Sequence, residues 1–154
     1  MNQGIFKRYV SSPIISLLKQ GLTPQILALS MTSGIIIGTF PLVGTTTAIC
    51  TMVAIMFRMN LLVTQIGNWL VYPIQILLVV PFIILGEYLF GSPSTLDPSH
   101  IVILLRTDLF TTLRLFSKMI LHATIAWMIC APFAFAAIYI VFKTLFQFLH
   151  ARRV

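Results

Sequence analysis

Chemistry in this chain is easiest to place at Gly38-Thr39-Phe40-Pro41-Leu42-Val43-Gly44, followed by Thr45, Thr46 and Thr47. Pro41 lacks a backbone donor and pushes Phe40 out of the helical region. Glycines on either side allow the chain to turn sharply. A helix starting at Thr45 offers hydroxyls and free backbone N–H groups to a phosphate or carboxylate. The same residues also build a turn and cap a helix, so both readings stand. A second polar feature is the row Asn60, Thr64, Asn68 and Tyr72, with Gln65 beside it. Steps of four put the row on one helix face, which must point towards protein or water rather than lipid. It either lines a substrate path or bonds neighbouring helices. Arg58 and Glu87 are the only charges between Lys19 and Asp97. They could pair if the segment between them returns to the side it started from. The residues expected to hold a ligand are therefore Gly38, Pro41, Gly44, Thr45, Thr46, Thr47, Arg58, Asn60, Thr64, Asn68 and Glu87.

Other chemistry is poorly supplied. Three acidic residues leave little for general acid–base work. His100, His122 and His150 have no ligand at metal spacing, so neither a metal nor a cofactor is expected. Cys50 and Cys130 lie in apolar runs and read as small hydrophobic side chains rather than a disulfide. No nucleophile motif occurs at a persuasive spacing, so the chain is not expected to be an enzyme.

These residues sit in a chain of 154 that is 58% hydrophobic and only 8% charged. Its mean hydropathy is +1.01. A soluble surface needs roughly three times as much charge, and disorder needs far lower hydrophobicity. The composition points to an all-α integral membrane protein, a single domain over 1–154. The net charge of +7 is carried mainly at the ends, by Lys7, Arg8 and Lys19 and by Lys143, Arg152 and Arg153. That pattern suits cationic flanks held at the cytoplasmic face against anionic lipid, not nucleic-acid binding.

Residues 20–57 are uncharged and broken at the Gly/Pro turn. Half-helices at 25–38 and 45–57 would each reach about 20 Å, short of a hydrocarbon core about 30 Å thick. A re-entrant hairpin is the preferred reading, because it returns Lys19 and Arg58 to one side; two short full spans are the alternative. Thr23-Pro24 supplies an N-cap and a first-turn proline to open it. Residues 59–86 fit one kinked span, or a second hairpin of 60–71 and 74–86. Residues 1–20 form an interfacial segment and 21–90 a core of broken helices. Residues 91–118 give a loop and an interfacial amphipathic helix, 119–143 a transmembrane helix kinked at Pro132, and 144–154 a basic tail. No cleavable leader is evident. Ser30, Gly34 and Gly38 form a small-residue face, which packs within the chain or joins two copies as a homo-oligomer.

Several of these residues together resemble a known family. They are Thr23-Pro24, Leu27-Ala28-Leu29-Ser30, Gly34, Gly38-Thr39-Phe40-Pro41, Gly44 to Thr47, Arg58-Met59-Asn60, Asn68, Tyr72-Pro73, Pro81 and Gly86-Glu87. The ordered set is similar to the bacterial Domain of Unknown Function 2062 (DUF2062) membrane family, over about residues 20–90. In many members an Asn and a Pro are adjacent where this chain has Asn68 and Pro73 apart. The resemblance implies a multi-pass protein of the bacterial inner membrane, and no established activity. The expectation is a small transporter or lipid-handling protein acting on an anionic ligand, with both termini cytoplasmic. A non-catalytic scaffold or assembly partner is the alternative.

Overall fold

A computed structural model describes residues 23–91 and 109–151, and all regular structure among them is helical. The element order is α1 (Pro24–Gly38), α2 (Thr46–Met56), α3 (Leu61–Leu70), α4 (Tyr72–Leu89) and α5 (Leu109–Ala151). The expected N-terminal segment, the polar loop from residue 92 and the basic residues after 151 lie outside the described residues.

α1 starts where its sequence signals say it should. The Thr23 hydroxyl accepts a hydrogen bond from the Ile26 N–H at 3.3 Å, and Pro24 occupies the first turn. The helix is apolar on all sides and buries residues around most of its circumference, because α2, α3 and α5 all pack on it. It ends at Gly38, and the chain turns through Gly44, whose φ of 94° is a left-handed value that glycine adopts at little cost.

α1 and α3 run parallel in a constant register. Ser30 meets Asn60, whose N–H donates to the Ser30 hydroxyl at 2.9 Å. Gly34 meets the Thr64 carbonyl, and Gly38 meets Asn68 and Val71. Gly67 in turn lies against Met31 and Ile35. The two rows seen in the sequence, one small and one polar, are thus the two halves of one interface. Absent side chains let the backbones approach closely. The small-residue face is filled by α3 of the same chain, so a second copy would have to use another face.

α2 returns antiparallel beside α3, with Gln65 bonded to Thr47 and Thr51. It closes with a left-handed cap: Met59 N–H donates to the Ala54 carbonyl at 2.8 Å and Arg58 N–H to the Ile55 carbonyl at 3.2 Å. This is a Schellman motif in which Arg58, at φ 51°, holds the position usually given to glycine. Asn60 then caps α3, its side chain accepting from the Val63 N–H at 2.9 Å.

The second uncharged run is divided at Val71, and α4 does not fold back along α3. It packs on α5 instead, so the hairpin of 60–71 and 74–86 does not form; the two helices are successive pieces of one bent path. The break also changes the phase of the polar row: Tyr72, expected on it, is exposed, and Gln75 takes the buried place.

α5 is one helix of 43 residues, where an interfacial helix and a separate span were expected. No glycine or proline lies between 109 and 118 or after 132, so nothing in the sequence stops it. It runs antiparallel to α1, with Phe146 in the core beside Leu27 and Ala28, and Trp127 level with Thr39 and Phe40. Two helices are long and apolar enough to cross a membrane: Tyr72–Leu89, and Arg114–Ala151 within α5. Only 17% and 6% of their apolar windows is buried inside the protein, so most of each window faces outward.

Candidate functional site

Four helix ends are linked to one another, the end of α1, the start of α2, the end of α3 and the start of α4, and Trp127 of α5 closes on the first of them. Each leaves backbone groups that its own helix cannot satisfy. At the turn, the Phe40 carbonyl accepts from the Gln75 side chain at 2.7 Å. The Thr39 hydroxyl donates to the Ile36 carbonyl at 2.7 Å and accepts from the Trp127 indole N–H at 3.1 Å. The Phe40 ring stands edge-on to Trp127, centroids 5.1 Å apart. Pro41 is buried, whereas Leu42, Val43 and Gly44, which follow it in the turn, are exposed.

On the α2 side, Asn68 donates to the Thr47 hydroxyl at 3.3 Å and to the Gln65 side-chain oxygen at 3.4 Å. Gln65 donates to the Thr47 carbonyl at 3.1 Å and the Thr51 hydroxyl at 2.9 Å. Thr47 is exposed, on a shallow open face shared with Gly44, Ala48 and Thr51. Its hydroxyl accepts from Asn68 and keeps a proton to donate outward. The side-chain oxygens of Asn68 and Gln75 are buried and have no donor among the described residues. A polar pair of this kind has capacity for one more partner on each side chain.

The eleven residues expected to hold a ligand separate into three groups. Gly38 packs against Asn68, which bonds Thr47, and Pro41 and Gly44 lie in the turn between Gly38 and Thr47. Thr45 turns its hydroxyl back to the Leu42 carbonyl at 2.9 Å and Thr46 is buried, so of the three threonines only Thr47 is both exposed and joined to Asn68. Asn60 and Thr64 lie at the contact with α1, where the Asn60 N–H donates to the Ser30 hydroxyl and the Thr64 carbonyl faces Gly34; the Thr64 hydroxyl itself turns back to the Asn60 carbonyl at 3.0 Å. Arg58 and Glu87 are not brought together. Arg58 is exposed between α2 and α3, whereas Glu87 is buried next to Gly86, which lies against His122 and Ala123 of α5.

Gln75, Trp127, Thr39 and Thr51 were not singled out from the sequence. Gln75 had a readable signal, as the lone amide of an apolar run, seven residues beyond Asn68. Trp127 had none, since one indole in an apolar helix does not reveal a partner almost ninety positions away.

A family profile described as "Uncharacterized protein conserved in bacteria (DUF2062)" matches residues 7–154. The chain belongs to this family. The match extends past the motifs of the N-terminal half and takes in α4 and α5, so the partners of the turn fall within the family's region. Neither the curated proteins nor the solved structures contain a match.

Proposed function

We propose that this DUF2062 protein is a multi-pass inner-membrane protein acting as a small transporter or lipid-handling protein, with the helix crossing at Thr47 and Asn68 as its ligand site. The supporting observation is the position of the crossing. Trp127 lies eight residues, about 12 Å at the helical rise, inside the uncharged stretch that begins at Met119. In a bilayer that depth is near the middle of the hydrocarbon, where broken helices are sustained only against protein or a wet cavity.

The contacts support one topology for this reading. The start of α1 and the end of α5 share one end of the molecule, where Arg58, Lys143 and His150 also belong, as the positive-inside tendency favours for a cytoplasmic face. The α1–α2 hairpin enters from that face and turns back, α3 and α4 together cross as a bent path, and α5 crosses back. The start of α2 and the Thr47 hydroxyl favour an anionic group. The scaffold reading has one observation in its favour: the polar groups of Ser30, Asn60 and Thr64 are taken up inside the protein, one bond joining Asn60 to Ser30 across the helices and the hydroxyls of Ser30 and Thr64 bonding their own backbones.

Reactivity at position 47 tests the site without knowledge of its ligand. In a chain carrying Cys50→Ala and Cys130→Ala, Thr47→Cys is exposed to membrane-impermeant thiol reagents of either charge. Modification, faster by the anionic than the cationic reagent, is expected. A position inert to both reagents from both faces would overturn the site and leave the scaffold.

A further inference from the structure

Beyond the helix crossing, we infer that Arg58 and the cleft beside it hold an anionic glycerophospholipid, the phosphate at Arg58 and one acyl chain in the cleft. The cleft has a volume of about 270 Å³ and lies between α1, α2 and α5. Its walls are almost wholly apolar, among them Leu29, Ile36, Val53 and Phe135. Both chain neighbours of Arg58, Phe57 and Met59, line it as well. The one cation of the α2–α3 connection therefore sits between two wall residues and is itself exposed. Charge and shape are complementary to a lipid with a negative headgroup and an apolar tail.

The backbone adds an independent reason to look at this residue. Arg58 is the only non-glycine residue with positive φ among the described residues. The Schellman position it fills is one where glycine is favoured and a long side chain is disfavoured. The fold would be served better by glycine, so the presence of a cation points to a use for its charge. The wall is also held in place locally: the Ser33 hydroxyl donates to the Met59 sulfur at 3.5 Å, tying the connection to α1.

This inference rests on the membrane reading, and the experiment separates the two. The full chain is expressed in membranes, washed with alkaline carbonate, extracted in mild detergent with equal phosphatidylglycerol and phosphatidylethanolamine of matched chains, and its retained lipid is weighed by mass spectrometry. Release of the protein by the carbonate wash would remove the membrane reading itself. For the wild-type chain, enrichment of phosphatidylglycerol by about fivefold is expected, the worth of one cation near an anionic headgroup. Arg58→Gly, which suits the backbone, should fold and return the ratio to that of the mixture, while Arg58→Lys keeps most of the enrichment. Val53→Phe, which fills the cleft, should lower retention of both lipids. Full enrichment in Arg58→Gly, or equal displacement of the lipid by inorganic phosphate in every variant, would overturn the inference.

Discussion

The protein has two helix crossings made through glycine, and they are built on different terms. Where α1 meets α3, Gly34, Gly38 and Gly67 bring backbones together, the Asn60 N–H bonds the Ser30 hydroxyl across the interface, and the buried Thr64 and Asn68 bond, respectively, back to Asn60 and out to Thr47 and Gln65. Where α4 meets α5, Gly86 lies against the backbone of His122 and Ala123, and Phe90 stacks on His122 with ring centroids 4.4 Å apart. In the first pair α1 is enclosed by its neighbours, while α3 keeps an exposed apolar face that includes Leu62, Trp69 and Leu70. The second leaves large apolar side chains such as Leu77, Tyr88, Phe133 and Val141 exposed. In an apolar solvent hydrophobic burial no longer drives helices together, and close packing with polar contacts must do so. The α1–α3 pair carries both devices and can specify its own register. The α4–α5 pair has mainly the close approach, and depends on its surroundings to cover the rest.

Enlarging each glycine tests that contrast most severely. Gly34→Leu should force α1 from α3 and cost about 3 kcal/mol or more, the upper range for overpacking. Gly86→Leu should cost less, because α4 can shift on α5 without breaking a polar network. Thermal midpoints of the detergent-extracted variants measure both, and equal losses would erase the distinction. Next in size, Asn68→Leu removes the bonds to Thr47 and Gln65 and should cost about 1–2 kcal/mol, read in the same way. Trp127→Phe keeps an aromatic ring beside Phe40 and loses only the bond to Thr39, for about 1 kcal/mol. Smallest, and opposite in sign, Arg58→Gly should raise the midpoint slightly, by up to about 1 kcal/mol, as the left-handed strain is relieved. A fall in the midpoint would mean that the arginine side chain supports the fold.

Much of α1 to α3 was legible because its signals are local. Thr23-Pro24, the Gly38–Gly44 turn and Asn60 each act within a few residues, and a proline, a glycine or a capping side chain has the same effect wherever it occurs. The docking of Ser30, Gly34 and Gly38 onto Asn60, Thr64 and Asn68 was visible as two stripes but not as one interface. Periodicity names a face and leaves its partner unstated. The length of α5 was not read, because a change from amphipathic to apolar composition looks like a boundary although nothing in the backbone enforces one. The roles of Gln75 and Trp127 depend on contacts across the fold, and no local pattern encodes them.

The turn at Phe40 bears on the order of biogenesis. Its carbonyl is satisfied by Gln75 and its neighbour's hydroxyl by Trp127. During synthesis these partners emerge later, and Trp127 belongs to the last helix. In lipid the tip would meanwhile carry unmatched polar groups, which the hydrocarbon does not tolerate. In the proposed membrane topology the nascent hairpin is therefore expected to wait at the interface and sink only after α5 arrives, so a ribosome stalled before residue 127 should leave a cysteine at the buried turn position, Pro41→Cys, open to aqueous labelling that the finished chain resists. The hairpin, translated before its partners, is then seated after them.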